Sequence, residues 1–298
     1  MDTNQNKTIL YHLIAVLVVI IWGWTFINSK KLLLSGMRAE EIFTVRFVIA
    51  YICIWFISPR RIWCNNMKDE LWMLLLGITG GSLYFLTENL AVGLTYTTNV
   101  SFIVCTAPLI TTLLAIAFVK KVKATHMLIV GSLIAVLGTA MVIFNGRFIL
   151  KLNQLGDWLA LGAAICWALY SLLMKKVTHR YSAVFITRKV FFYGLVTILP
   201  VFVFHPWHFP LQGFSSSTVW GNLLFLGFIA SFVCFVVWSW IIKKIGVIAA
   251  SNYVYLNPIS TLVASSLFLD ERLTWLSLAG SALILIGVFI ANKHKAAI

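Results

Sequence analysis

Ten stretches of mostly apolar residues, each about 20 long, follow one another along the chain, and each is long enough to cross the hydrocarbon core of a bilayer as a helix. They run roughly over 9–29, 40–58, 70–93, 97–119, 126–145, 157–177, 182–204, 219–242, 247–269 and 274–292. Backbone groups in hydrocarbon must find partners within their own segment, so spans of this length are expected to be helices. The connections are short and often charged. The longest runs from Pro206 to Thr218 and is broken by Pro206, Pro210, Gly213 and a serine run. None could form a separate soluble domain. Composition agrees: 61% of the 298 residues are hydrophobic and only 11% charged, against about 25% charged in soluble domains. This excludes a soluble enzyme, a disulfide-stapled secreted scaffold and a disordered tail protein. The fold class expected is an all-α integral membrane protein with ten transmembrane helices.

The net charge of +14 would suggest nucleic acid in a soluble protein. Here its placement gives another reason. With the N-terminus in the cytoplasm, 14 Lys and Arg fall on the inner side and six on the outer side, while Arg46, Arg188 and Lys189 lie within spans. That bias follows the positive-inside rule. It predicts cytoplasmic termini, contact with membrane lipid and no nucleic-acid partner. The first span has one preceding Lys and no small-residue cleavage site after it, so it reads as a retained helix. The five cysteines form no metal-ligand spacing. His205 and His208 lack further ligands, so no metal site and no cofactor are expected.

Comparing the chain with itself reveals a duplication. Trp22, Lys30 and Lys31 match Trp167, Lys175 and Lys176 at a constant offset of 145. Arg46 matches Arg188, Pro108 matches Pro258, and Gly131 and Gly138 match Gly280 and Gly287. The expected division is 1–146 for spans 1 to 5 and 147–298 for spans 6 to 10. Five spans per repeat is an odd number, so the second repeat must enter the membrane inverted. Inverted repeats are a mark of secondary transporters, whose substrate site lies near the midplane between the halves.

Several runs carry a closer resemblance. They are Ile21 to Lys30 (IWGWTFINSK), Thr44 to Phe47 (TVRF), Glu88 to Ala91 (ENLA), Thr97 to Pro108 (TTNVSFIVCTAP) and the segment from Lys243 to Glu271 that ends in Asp-Glu. With these, the chain resembles the EamA-type carriers of the drug/metabolite transporter superfamily over nearly its whole length. The resemblance implies two inverted five-helix EamA repeats and a central cavity lined mainly by helices 1, 3, 4, 6, 8 and 9. It also implies a multi-pass protein of the bacterial inner membrane that exports or exchanges small metabolites such as amino acids. One departure is Lys120-Lys121, where the family usually carries an acidic residue, as Asp270-Glu271 do in the second repeat.

Glu88 is the acidic residue set well inside a span, which costs at least about 3 kcal/mol unless it is partnered or functional. Arg46, at similar depth in the neighbouring span, is its expected partner. Together they read either as a substrate or proton site or as a structural ion pair. Trp22, Trp24, Trp167, Tyr170, Trp238 and Tyr255 are candidates for an aromatic cavity wall. Asn28, Asn89, Asn99, Ser101, Ser171 and Asn252 are candidate polar contacts to substrate, with interhelical packing as the alternative. Pro108 and Pro258 interrupt matching helices and are candidate hinges. The glycine pairs permit close helix approach, either between the halves or in a homodimer. Arg188 and Lys189 are expected to reach the inner headgroups, with gating or binding of an anionic group as the alternative. No phosphate-binding loop or hydrolase motif is present. The chain therefore reads as a secondary transporter of small molecules and not an enzyme, with Glu88 available for proton coupling. An integral-membrane enzyme acting on lipid and a non-transporting subunit are the alternatives.

Overall fold

Among the described residues, ten helices form where the apolar stretches predict them. The computed structural model describes residues 3–57, 62–95, 97–118, 125–144, 154–268 and 274–293. The side chains of 3–8, 97–99, 142–144, 265–268 and 292–293 fall outside that description, as do Lys120-Lys121 and Asp270-Glu271 altogether. We number the helices α1 (Thr3–Leu34), α2 (Ala39–Ile57), α3 (Met67–Leu94), α4 (Thr97–Val104 and Ala107–Phe118) and α5 (His126–Phe144). The second half holds α6 (Gln154–Val177), α7 (Ala183–Phe204), α8 (Ser217–Ile245), α9 (Val247–Asn252, Tyr253–Leu256 and Asn257–Phe268) and α10 (Trp275–Lys293).

Helix ends follow local chemistry. Asn66 caps α3 by accepting from the Asp69 backbone N–H at 2.8 Å, and Ser182 caps α7 by accepting from that of Phe185 at 3.3 Å. Such caps satisfy backbone donors that the first turn leaves open. The chain turns from α8 to α9 at Gly246, whose φ of +86° is costly for a side-chain-bearing residue. Among the described residues, six helices are long and apolar enough to cross a membrane by length and composition: α1, α3, α4 over Val100–Phe118, α6, α7 and α8. The outward faces are apolar: Phe56, Phe204 and Trp275 are each more than 80% exposed. A surface of that kind suits lipid and not water.

Packing runs between the halves. α2 lies against α8 and α7 against α3; α1 lies against α9 and α6 against α4; α5 pairs with α10. Lipid supplies no hydrophobic drive for helix association, so close backbone approach must supply the contact. The α5–α10 crossing does this at glycine: a Cβ on Gly131 would sit 2.6 Å from the Gly287 carbonyl oxygen, and one on Gly138 the same distance from that of Gly280. These glycines make the contact between α5 and α10.

Four irregularities depart from plain helices. α3 and α8 each contain a π-helical stretch, Ile78–Ser82 and Phe225–Val233. α4 breaks at Cys105-Thr106 and α9 tightens to a 3₁₀ turn over Tyr253–Leu256, each just before its proline. Pro258 cannot bond the Val254 carbonyl, and the Cys105 thiol donates to that oxygen instead, at 3.7 Å. The two interrupted helices thus touch at their breaks.

Candidate substrate cavity

The apolar helices enclose a small central cavity of ≈ 30 Å³, measured as the volume open to the centre of a water molecule. That holds about two waters. Its lining comes from seven helices: Trp22, Thr25 and Phe26 of α1, Arg46 of α2, Tyr84, Phe85 and Glu88 of α3, Val104 of α4, Trp167 of α6, Phe235 of α8, and Val254 and Asn257 of α9. Trp22 and Trp167, the matched residues of the two halves, meet edge to face with ring centroids 5.2 Å apart. Tyr84 and Phe235 extend this wall, 5.2 Å and 6.1 Å from Trp167.

Arg46 and Glu88 both face this cavity, and both are almost fully buried. They do not form the expected ion pair. The two ion pairs within 4 Å among the described residues lie elsewhere. Each charged group is held by other partners. The Arg46 Nε–H donates to Ser231 Oγ at 2.9 Å, and its guanidinium lies over the Phe85 ring at 4.1 Å. The Glu88 carboxylate accepts from the Tyr84 hydroxyl at 2.9 Å. The π-helical stretch of α8 builds part of this arrangement. It brings Ser231 to Arg46 and leaves the Ala230 carbonyl to accept from the Trp22 indole N–H at 3.0 Å. π-Helical turns recur at functional sites because they shift which side chains and carbonyls face inward.

Other polar atoms in the lining have no hydrogen-bond partner among the described residues. They are Arg46 Nη1, Trp167 Nε1 and Asn257 Oδ1. Leaving buried donors and acceptors unpaired costs about 1–3 kcal/mol each. The cavity therefore presents open donors on Arg46 and Trp167 and an open acceptor on Asn257, together with the Glu88 carboxylate.

The remaining candidates from the sequence are placed as follows. Trp238 and Tyr170 form a second layer, 4.9 Å behind Trp22 and 5.2 Å behind Trp167. Asn28 bonds the Trp24 carbonyl one turn back at 2.9 Å, and Trp24 is half-buried outside the lining. Asn89 reaches the Ala39 carbonyl, at 3.5 Å. Ser101, Ser171, Asn252 and Tyr255 are buried in helix contacts away from the cavity. The side chain of Asn99 lies outside the described residues. Arg188 and Lys189 do not reach for headgroups: both are buried, Arg188 over Trp55 at 4.9 Å and Lys189 paired with Glu70. An acidic partner and aromatic faces inside the bundle satisfy them better than a long reach outward. Thr25, Phe26, Tyr84, Phe85 and Phe235 were not among the sequence candidates. Tyr84 and Phe85 precede Glu88 by one helical turn, and Thr25 and Phe26 follow Trp22 by one, so the i+3/i+4 rule points to them.

The fold and the central cavity are those of a polytopic membrane transporter. The EamA-like transporter family matches residues 9–144 and 154–293, and the chain belongs to that family. A crystal structure of 16% identity shares the fold with a TM-score of 0.66, covering 93% of this chain and 96% of its own. Among relatives, the chain is 26% identical to an "Uncharacterized transporter" of Archaeoglobus fulgidus, covering 95% of this chain and 99% of that protein. It is 25% identical to a "Probable terminal-alkyne amino-acid exporter" of Streptantibioticus cattleyicolor, with 94% and 92% covered. It is also 25% identical to a "Probable amino-acid metabolite efflux pump" of Escherichia coli, with 93% of both covered. The chain is a small-molecule transporter and not an enzyme.

Proposed function

We propose that this protein is a secondary carrier that exports or exchanges amino acids or closely related zwitterions by alternating access. The observation that carries the reading is the pairing of unlike charges in one cavity. Arg46, with its open Nη1 and the neighbouring open indole N–H of Trp167, suits a carboxylate. Glu88 and the open Asn257 Oδ1 suit an ammonium group. The Trp22, Phe26, Phe85 and Phe235 rings offer an apolar surface for a side chain. Named amino-acid exporters among the relatives support the same class.

The cavity holds only about two waters, too little for an amino acid, so we read this conformation as contracted and closed to both faces. Transport then requires the halves to part on one side at a time. The cross-half pairing of α2 with α8 and of α7 with α3 exchanges under interchange of the halves. This supports inverted repeats over 1–146 and 147–298. Charge placement supports cytoplasmic termini, with a bacterial inner membrane as the setting. The breaks before Pro108 and Pro258 are the hinges in this scheme, and Glu88 is the group through which protons would couple.

The test is counterflow in proteoliposomes. Vesicles loaded with an unlabelled amino acid accumulate the labelled one, whereas sugars and nucleosides do not drive exchange. No saturable exchange with any amino acid would overturn the proposal.

A further inference from the structure

Far from the cavity, the described ion pairs gather at one place. Asp69 and Glu70, adjacent in the first turn of α3, pair with Arg180 and Lys189 respectively. Asp69 belongs to the first half of the chain, and Arg180 to the turn between α6 and α7 in the second. Glu70 likewise reaches across to α7. The cross-links continue around the pairs. Asp69 Oδ2 accepts from the Tyr181 hydroxyl at 2.8 Å, and the Tyr181 oxygen accepts from the Asn65 N–H at 2.9 Å. Glu70 Oε1 also accepts from the Tyr193 hydroxyl, while its Oε2 accepts from the Cys64 N–H at 2.9 Å. The Lys189 ammonium lies over the Trp63 ring at 4.8 Å.

Position gives this cluster its meaning. The start of α3, the end of α6 and the start of α7 all lie on the face from which α1 begins. Charge placement makes that face cytoplasmic. Eighteen residues separate Glu70 from Glu88, about 27 Å of helix. On the other face the barrier is thinner: Arg46 lies five residues, about 7.5 Å, beyond Glu41. There Glu41 holds the loop after α7 by accepting the His208 and Phe209 backbone N–H groups, at 2.5 Å and 2.8 Å. No opposite side-chain charge meets Glu41 across that seam among the described residues. Opening inward must therefore separate α3 from α7 along most of their length, and the charge cluster is the fastening at its end.

We propose that Asp69, Glu70, Arg180 and Lys189 form the cytoplasmic gate, which must come apart for the cavity to face the cytoplasm. The inference rests on the carrier reading. Asp69, Glu70 and Lys189 are buried, whereas Arg180 is half-exposed; burying the first three is costly and is offset only while they meet their partners. Parting lets water replace the lost partners, so the cluster acts as a two-state fastening and not as permanent glue.

The experiment uses the full chain in membranes. Thr25→Cys places a thiol in the cavity lining, and a membrane-impermeant maleimide probes it from each face in inside-out and right-side-out vesicles. Labelling is read by peptide mass spectrometry. Glu70→Gln keeps the shape but removes the charge. It is expected to speed labelling from the cytoplasmic face by about tenfold or more, the value of a charge-assisted hydrogen bond present only in the closed state. Labelling from the outer face should not rise. As a second arm, Asn65→Cys and His179→Cys are joined by a short bis-maleimide. Burial, then the neighbouring Glu70 carboxylate, pushes the native Cys64 thiol up to about 12, so it competes poorly. The bridged protein should lose exchange, while a monofunctional maleimide leaves it intact. Unchanged cytoplasmic labelling in Glu70→Gln, or wild-type exchange by the bridged protein, overturns the gate. Should Glu70→Gln not fold, the bridged protein decides. Absence of exchange in the unmodified protein counts against the carrier reading instead.

Discussion

Ser231→Ala isolates how the cavity presents its positive charge. The Ser231 hydroxyl accepts from Arg46 Nε at 2.9 Å and so holds the guanidinium in the cavity lining, where Nη1 is buried without a partner. Both residues are buried. A hydrogen bond to a charged group contributes about 1.5–3 kcal/mol, and 1.4 kcal/mol is tenfold in an equilibrium constant. Losing it should lower the population of correctly aimed arginine, and so weaken carboxylate binding, by about 10- to 150-fold. The change removes one oxygen and leaves packing nearly intact, so the protein should fold and insert. Counterflow in proteoliposomes reads the effect as half-saturation for an amino acid beside that for its decarboxylated amine. The amino acid should weaken by the stated factor, and the amine should not change. Ser231→Thr, which keeps the hydroxyl, should restore most of the affinity. Equal affinities in Ser231→Ala and the native protein, or equal losses for amino acid and amine, would refute the reasoning.

Three further outcomes follow from the same geometry. Glu88→Gln should abolish any stimulation of flux by an imposed pH gradient and weaken amines and amino acids together, because the acceptor for the ammonium group loses its charge; flux assays with and without the gradient check it. Gly131→Ala would drive a Cβ to within 2.6 Å of the Gly287 carbonyl oxygen. Overpacking of this kind should destabilise the detergent-solubilised protein by about 1–3 kcal/mol, read as a lowered midpoint in thermal unfolding. Trp22→Phe removes the indole bond to the Ala230 carbonyl and should cost about 1 kcal/mol, while the analogous Trp240→Phe, on the half-buried side of α8, should cost less.

The helices were legible because each apolar stretch needs a bilayer's worth of residues, and because lipid forbids most other backbone arrangements. The match of Trp22 with Trp167 across 145 positions was legible too, and the two rings do meet in the cavity. Arg46 and Glu88 stood out because charge inside an apolar run is expensive. Their partners did not stand out. Each residue advances a helix face by about 100°, so the extra residue of a π-helical turn reassigns what faces inward. Ser231 and the Ala230 carbonyl face the site for that reason, and nothing in the local sequence announces the turn. Asn28 and Asn89 show the converse: a polar side chain in a span has its own backbone or a neighbour's helix end within reach. The acidic pair Asp69-Glu70 was hidden by its position, because acidic residues in a first turn already have a reason to be there. Only the fold brings Arg180 and Lys189 against them.

The most direct measurement is equilibrium binding to the purified protein by calorimetry. Three ligands are compared: an amino acid, the amine that lacks its carboxylate, and the acid that lacks its ammonium group. One amino acid should bind per chain, more tightly than either fragment. Arg46→Gln should erase its advantage over the amine and Glu88→Gln its advantage over the acid. Fragments that bind as well as the whole molecule, or variants that bind it undiminished, would contradict a cavity that reads both charges of one solute.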